Sequence, residues 1–257
     1  RDGTLPNYKK FIQAKLSDNP HISEFYEEQL RKLDPVSRER LLHGNWEYDE
    51  GRDRLFDYES ILNLFTNSSV TSEGEEHYLS CDVALLGSDK LVICVWKGLV
   101  VEEIITKDKT SADNVEKLIH KLAEQYDIKR KNIIVDSDGV GQYLSHYMKG
   151  VQPFVNNAKP ISGENYKNLK TQCFYKLAEQ VNAGNIFIKC TDTEIRNKII
   201  EELETIRRKD IDMDGKLAIL SKKEMKVILG HSPDYADALM MRMRYIFKNN
   251  RRIMAWG

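Results

Sequence analysis

Four aspartates occupy positions where a carboxylate would destabilise the fold unless it has a partner or a chemical role. Asp82 lies inside an apolar run that predicts a buried strand, and Asp136 closes a second such run. Asp234 and Asp237 are three residues apart at the start of the last predicted helix, so they share one face. Burying an unpaired carboxylate costs several kcal/mol. These positions therefore favour a functional role.

The type of side chain indicates which chemistry this is. If the two strands are neighbours and the last helix packs across them, three or four carboxylates converge and repel one another. Hard divalent cations such as Mg²⁺ or Mn²⁺ prefer oxygen ligands and relieve that repulsion. Two such ions about 4 Å apart activate a water molecule and stabilise the leaving oxygen of a phosphodiester. We predict a two-metal site with Asp82, Asp136, Asp237 and Asp234 as catalytic residues and candidate ligands.

Each acid also has a structural interpretation. Asp82 fits a strand end turned towards solvent, Asp136 fits a residue that forms the following glycine-containing turn, and Asp234 fits a helix cap. Asp237 precedes an apolar stretch and is harder to explain in this way. Considered together and in this order along the chain, the four acids favour the functional interpretation.

The elements that must position these acids follow an α/β order. Apolar runs predict three strands joined by short turns as an antiparallel meander, over residues 78–86, 91–96 and 99–106. Three more strands are predicted over residues 132–135, 151–155 and 186–188. Helices are predicted over residues 111–126, from the glycine turn at 137–141 to about residue 148, and over 166–183, 192–207 and 232–248. A hairpin pairs 209–211 with 216–220. This order predicts a mixed sheet of five or more strands with helices on both faces.

The first 69 residues read as a separate region. Helices are predicted over about 23–32 and 34–42, followed by a stretch without clear periodicity. We predict a helical linker over residues 1–69, the α/β domain over 70–250 and a tail over 251–257.

Composition limits the possible partners. The 257 residues carry a formal net charge of -1, so contact with nucleic acid would need a local positive patch. Candidates are Lys222, Lys223 and Lys226, although a solvated helix face explains them equally well. The chain contains four cysteines and no CxxC pair, which fits a reducing cytoplasm. No apolar run approaches the roughly 20 residues of a membrane span. His231, beside the acidic helix, fits a structural role better than a catalytic one.

The motifs together resemble one family, the C-terminal nuclease domain of the large terminase subunit of tailed bacteriophages. The resemblance rests on Cys81-Asp82-Val83-Ala84, on the glycine turn after Asp136, and above all on residues 232–239, Ser-Pro-Asp-Tyr-Ala-Asp-Ala-Leu. It implies an RNase H-like fold, two-metal catalysis, and Asp82, Asp136 and Asp237 as metal ligands. Asp234 would be a fourth ligand or would support one. Asp89 matches a frequent acid of the family's first turn, and a turn-forming role explains it equally well. Asp138 fits a turn-forming role better than a catalytic one.

The resemblance also implies a biological setting. The substrate would be concatemeric double-stranded DNA, cut at the start and end of packaging in the cytoplasm of an infected bacterium. The partners would be the ATPase domain of the same polypeptide, the portal protein and the small terminase subunit. A G-x-x-x-x-G-K-[ST] motif is absent from the 257 residues, so we expect this chain to be one domain of a longer protein.

Two alternatives share part of this pattern. A RuvC-like junction resolvase or a transposase-type nuclease would use the same acids and metals, and a resolvase would prefer four-way DNA junctions. A non-catalytic interaction module would hold the acids for structural reasons, and would neither bind a metal nor cut DNA.

Overall fold

The computed structural model describes five stretches of the chain, residues 53–83, 90–108, 110–137, 148–209 and 215–247. The chain divides into two compact units between Asp53 and Arg54, and from Arg54 onwards the described residues belong to the second unit. Several predicted features lie outside the described residues: the helices over 23–32 and 34–42, the acids Asp89 and Asp138, and the glycine turn with the helix after it.

In the described part of the chain, six strands form one mixed sheet: β1 (His77–Asp82), β2 (Leu91–Lys97), β3 (Val100–Lys107), β4 (Ile133–Asp136), β5 (Gln152–Phe154) and β6 (Phe187–Ile188). Their order across the sheet is β5-β4-β1-β2-β3-β6. Strands β1, β2 and β3 pair as an antiparallel meander, whereas β1 with β4, β4 with β5, and β3 with β6 are parallel. The predicted mixed sheet is confirmed. The predicted hairpin is also present, as β7 (Arg208–Lys209) and β8 (Ala218–Ile219).

The helices among the described residues include α1 (Tyr58–Asn63), α2 (Ala112–Gln125), α3 (Leu169–Asn182), α4 (Thr193–Thr205), α5 (Lys222–Leu229) and α6 (Asp234–Met241). Side chains that accept backbone N–H groups set several helix starts. Ser111 caps α2, as its position predicts. Asn168 caps α3 by accepting from the Thr171 amide, so this helix begins three residues later than predicted. Within the described residues, no helix is long and apolar enough to span a membrane.

The two faces of the sheet bury two separate apolar clusters. On β1, Leu79 and Cys81 pack with α2 residues such as Ile119 on one face. On the other face, Tyr78 of β1 and Ile134 of β4 belong to the larger cluster, which α1, α3, α4 and α6 complete. Because side chains alternate along a strand, even-numbered positions of β1 and β4 point towards this second cluster.

Helix α6 is buried on every side, which fits a helix that lies inside the core. It packs against β1, β2, β4, α3 and α4. The predicted helix over residues 232–248 is interrupted, since α6 ends at Met241, two turn residues follow, and residues 244–247 are helical again. The amides of Met243 and Tyr245 bond to carbonyl oxygens three residues earlier, and this tighter winding interrupts the α-helix.

Residues just after Arg54 contribute to the same core. Leu55, Phe56, Ile61 and Leu64 are buried in the larger cluster, and α1 packs against α3 and α4. The stretch from Arg54 to residue 69, predicted as the end of a linker, therefore packs with the elements that follow it.

Candidate active site

Asp82 and Asp136 end two neighbouring parallel strands. Strand β1 pairs with β4 in a register that places Cys81 opposite Val135, so the two aspartates come next on either side. Both occupy even positions and face the larger cluster, where α6 lies. Asp82 is buried, and Asp136 is partly exposed. The predicted pairing of these two acids at one end of the sheet is present in the structure.

Helix α6 brings the second pair of acids to the same place. Asp234 and Asp237 lie in its first turn and are each only 5% exposed. The Oδ2 atom of Asp234 accepts a hydrogen bond of 2.7 Å from the backbone amide of Lys90, just before β2. This bond connects the start of α6 to the end of the sheet at which Asp82 lies.

The four carboxylates are close enough to repel one another. Burial raises the pKa of Asp82 well above its usual value, and the charges of Asp237, Asp136 and Asp234 raise it further. The ammonium of Lys222 lowers the pKa of Asp82 and only partly offsets these effects. A cluster of this kind favours a bound cation, because each added positive charge relieves several repulsions at once.

One such cation belongs to the chain itself. Helix α3 places the Lys170 Nζ atom 2.7 Å from Oδ1 and 2.8 Å from Oδ2 of Asp237. The Lys170 side chain is only 13% exposed, so this ion pair is poorly screened by water. Asp237 is therefore held by a lysine that comes from a different element.

The Asp136 carboxylate also accepts a hydrogen bond from a neighbouring side chain. The side-chain amide of Asn156, two residues after β5, donates a hydrogen bond of 3.2 Å to Oδ1 of Asp136. The next residue, Ser137, donates from its backbone amide to the carbonyl oxygen of Phe154 at 2.9 Å. The end of β4 is thus fixed to the end of β5.

A fifth acid, Glu202, accepts a hydrogen bond from the backbone of α6. Glu202 of α4 is 1% exposed, and its Oε2 atom accepts a hydrogen bond of 2.8 Å from the Ala236 amide. Burial raises the pKa of Glu202 to about 9, and the charges of Asp234 and Asp237 act in the same direction.

The Nδ1 atom of His231 lies 2.7 Å from the carbonyl oxygen of Ser232, which favours the structural role for this histidine.

The donor atoms at this site fit a hard divalent cation, since they are carboxylate oxygens. Their positions do not form a closed cage. Among the described parts of the chain, no three His, Cys, Asp or Glu side chains stand in a ready-made metal-binding arrangement. The Lys170 ammonium lies within hydrogen-bond distance of both oxygens of the Asp237 carboxylate. A metal ion bound by Asp237 would share that carboxylate with the ammonium.

A groove of about 320 Å³ opens beside the acids. Lys222 lies in its wall, which agrees with the effect of Lys222 on Asp82. Within the described residues, Lys223 and Lys226 do not line this groove. Of the three predicted DNA-binding lysines, the structure therefore brings one, Lys222, to the acids.

Three residues that contact this site or support it were not predicted from the sequence. Lys170 and Asn156 have no local sequence feature that marks them. Lys170 reaches Asp237 only because α3 packs against α6, and Asn156 reaches Asp136 only because β5 pairs with β4. Glu202 had a readable signal, since it falls on the apolar face of α4 with Ile199 and Leu203. Helix α5 was not among the helices predicted with bounds, although a solvated helix face was one interpretation of its lysines and Ser221 and Glu224 form a capping box.

Comparison with known proteins shows that the fold is similar to that of solved structures. No family model and no curated protein sequence matches the chain. Among solved structures, the nuclease domain of the large terminase subunit gp2 of bacterial virus Sf6 is similar, with a TM-score of 0.63 and 22% sequence identity. The match covers 74% of this chain and 98% of the Sf6 domain.

Two structures of a variant of the Sf6 domain match equally well, each with a TM-score of 0.63 and 21% identity. Each match again covers 74% of this chain and 98% of the other. One of them contains manganese and beta-thujaplicinol, and the other contains calcium. This chain has the fold of the nuclease domain of phage large terminase subunits.

Proposed function

We propose that the chain is a metal-dependent DNA endonuclease that acts in a viral genome-packaging motor. The observation that carries this proposal is the meeting of four acids from three elements. Asp82 and Asp136 end adjacent parallel strands, and Asp234 and Asp237 face them from a fully buried helix. A structural role does not require four carboxylates in one place, because their mutual repulsion opposes folding.

The chemistry follows from the donor set. Asp82, Asp136 and Asp237 would hold a pair of Mg²⁺ or Mn²⁺ ions, with Asp234 as a fourth ligand or a support. When bound, such ions supply Lewis acidity towards a phosphodiester and a water molecule of lowered pKa. Asn156 orients the Asp136 carboxylate, and the Lys90 amide orients Asp234. Similarity to a domain whose structures contain manganese or calcium supports a divalent ion.

The biological role rests on the motif resemblance and on the shared fold. The substrate would be concatemeric double-stranded viral DNA, cut when packaging starts and when it ends, in the cytoplasm of the bacterial host. The ATPase domain of the same polypeptide, the portal protein and the small terminase subunit would be the partners. An isolated nuclease domain should then cut without strong sequence preference.

Substrate choice separates this proposal from its alternatives. The experiment incubates the chain with supercoiled plasmid, linear duplex and a four-way junction, each in Mn²⁺, Mg²⁺ or EDTA. We expect cutting of plasmid and linear duplex in Mn²⁺ or Mg²⁺, no cutting in EDTA, and recovery when metal is added back. Preference for the junction would favour a resolvase. No cutting of any substrate, together with no metal binding by calorimetry, would favour a non-catalytic module.

A further inference from the structure

The groove beside the acids has an unusual lining for this chain. Its wall includes Asn157, Lys167, Asn168 and Lys222, and none of its described lining residues is acidic. The chain as a whole has 40 acidic and 39 basic residues, so a wall with lysines and no acid is a local departure. This lining supplies the local positive charge that nucleic acid contact would need in a chain with no net positive charge.

The groove is continuous with the acid cluster. Two residues of its wall, Asn156 and Lys170, are the side chains that contact Asp136 and Asp237. A polymer lying in the groove would therefore pass directly onto the carboxylates. The groove is thus placed to hold the part of a substrate next to the bond that is cut.

Backbone polarity adds to the positive character of the groove. Helices α3 and α5 both begin at its wall, where Asn168 and Ser221 are their capping residues. The first turn of a helix presents partial positive charge. The Asn168 side chain also donates to Oδ1 of Asn157 at 3.1 Å, which holds two amide groups side by side in the wall.

We propose that this groove seats the sugar–phosphate backbone of the DNA strand that flanks the scissile phosphate, with Lys167 and Lys222 contacting phosphates. The inference rests on the proposed nuclease function and names its substrate-binding surface. Lysine contacts to phosphate position a duplex without reading bases, so binding here is independent of sequence. Asn157 offers an amide to the same backbone.

Binding measured without cleavage tests this surface. Fluorescence anisotropy of a labelled DNA duplex in EDTA compares the unmodified chain with Lys167→Ala, Lys222→Ala and the double variant across a salt series. Each phosphate contact contributes about 0.9 to the slope of log affinity against log salt concentration. We expect the double variant to lose about two contacts from that slope and about tenfold in affinity at low salt.

Two further variants make the result specific. Lys121→Ala removes an exposed lysine from α2, on the opposite face of the sheet, and should bind as the unmodified chain does. The double substitution Lys167→Arg with Lys222→Arg keeps both charges and should keep the salt slope. Both outcomes would support contact with phosphates at the groove rather than a general loss of positive charge.

The surface is disproved if the double alanine variant keeps the affinity and slope of the unmodified chain, or if the unmodified chain does not bind duplex. Failure of the nuclease function looks different, since it appears as absent cutting in Mn²⁺ while the binding series in EDTA is unaffected. Cutting by an unmodified chain whose groove variants bind normally would reject the groove alone.

Discussion

The ammonium of Lys170 lies 2.7 Å from Oδ1 of Asp237, and both side chains are largely buried. The two residues come from different helices, α3 and α6, and are 67 positions apart. Without a metal, the Lys170 ammonium partly balances the negative charge of the acid cluster. With a metal, the lysine and the ion compete for the same carboxylate. Both consequences can be measured.

Removal of the lysine should destabilise the metal-free chain. Lys170→Met keeps the length of the side chain and leaves the Asp237 carboxylate buried without its ion pair. We expect the free energy of unfolding in EDTA to fall by about 3 kcal/mol. The matched control is Lys176→Met on the same helix, whose pair with Glu179 reaches a largely exposed carboxylate and should matter by less than about 1 kcal/mol. If urea denaturation gave the same loss of unfolding free energy for both variants, the buried Lys170–Asp237 pair would stabilise the chain no more than the exposed pair does.

The same substitution should strengthen metal binding. An ammonium beside Asp237 lowers the negative potential at the site, so its removal should tighten Mn²⁺ binding by about tenfold, or 1.4 kcal/mol. Isothermal titration calorimetry measures this directly, and Asp237→Asn in the same assay should weaken binding. An unchanged Mn²⁺ affinity in Lys170→Met would mean that the lysine and the metal do not meet at Asp237.

Glu202 should make stability depend on pH. Its pKa is about 9 in the folded chain and near 4.5 when unfolded, so the folded state retains a proton that the unfolded state releases between these values. The stabilisation is complete below about 4.5 and is lost as the pH rises through about 9. Glu202→Gln mimics the protonated form and should remove this contribution.

The measurement is the difference in unfolding free energy between Glu202→Gln and the unmodified chain, in EDTA. We expect the glutamine variant to become increasingly more stable than the unmodified chain as the pH rises, by on the order of 1 kcal/mol per pH unit. Glu201→Gln, on the exposed side of the same helix, is the control and should give a nearly constant difference. A constant difference for Glu202→Gln as well would show that Glu202 is ionised in the folded chain.

Asn156 should affect cleavage more than DNA binding. Its amide orients the Asp136 carboxylate, and loss of such an outer contact typically costs about 10–100-fold in metal affinity or activity. We expect Asn156→Ala to reduce the rate of plasmid cutting within that range while duplex affinity in EDTA changes little. The neighbouring Lys159, an exposed residue, provides a control as Lys159→Ala. If Asn156→Ala cuts at the normal rate, Asp136 does not depend on this hydrogen bond.

The part of the site that was predictable from sequence is the part encoded locally. Asp82 and Asp136 stood out because strands of alternating or continuous apolar residues make a carboxylate conspicuous, and Asp237 stood out in an apolar helix. Their side-by-side position required only that β1 and β4 be neighbours, and the parallel register of the two strands met that condition.

The residues that support the acids were not predictable in the same way. Lys170 lies on α3 with no local feature to mark it, and its pairing with Asp237 depends on how α3 and α6 pack. Asn156 reaches Asp136 only because β5 lies beside β4 in the sheet. The interruption after Met241 was not predicted, because tighter winding there leaves no signature in the sequence, whose apolar pattern continues.

The central claim is that these acids form a metal-dependent phosphodiesterase site, and plasmid cutting by substituted chains in Mn²⁺ tests it most directly. The assay compares the unmodified chain with Asp82→Asn and Asp237→Asn, and with Asp113→Asn, which changes an exposed acid on α2. We predict that the first two variants lose more than the roughly hundredfold that an outer contact costs, while Asp113→Asn cuts normally. Normal cutting by Asp82→Asn or by Asp237→Asn would contradict the claim and place the active site elsewhere.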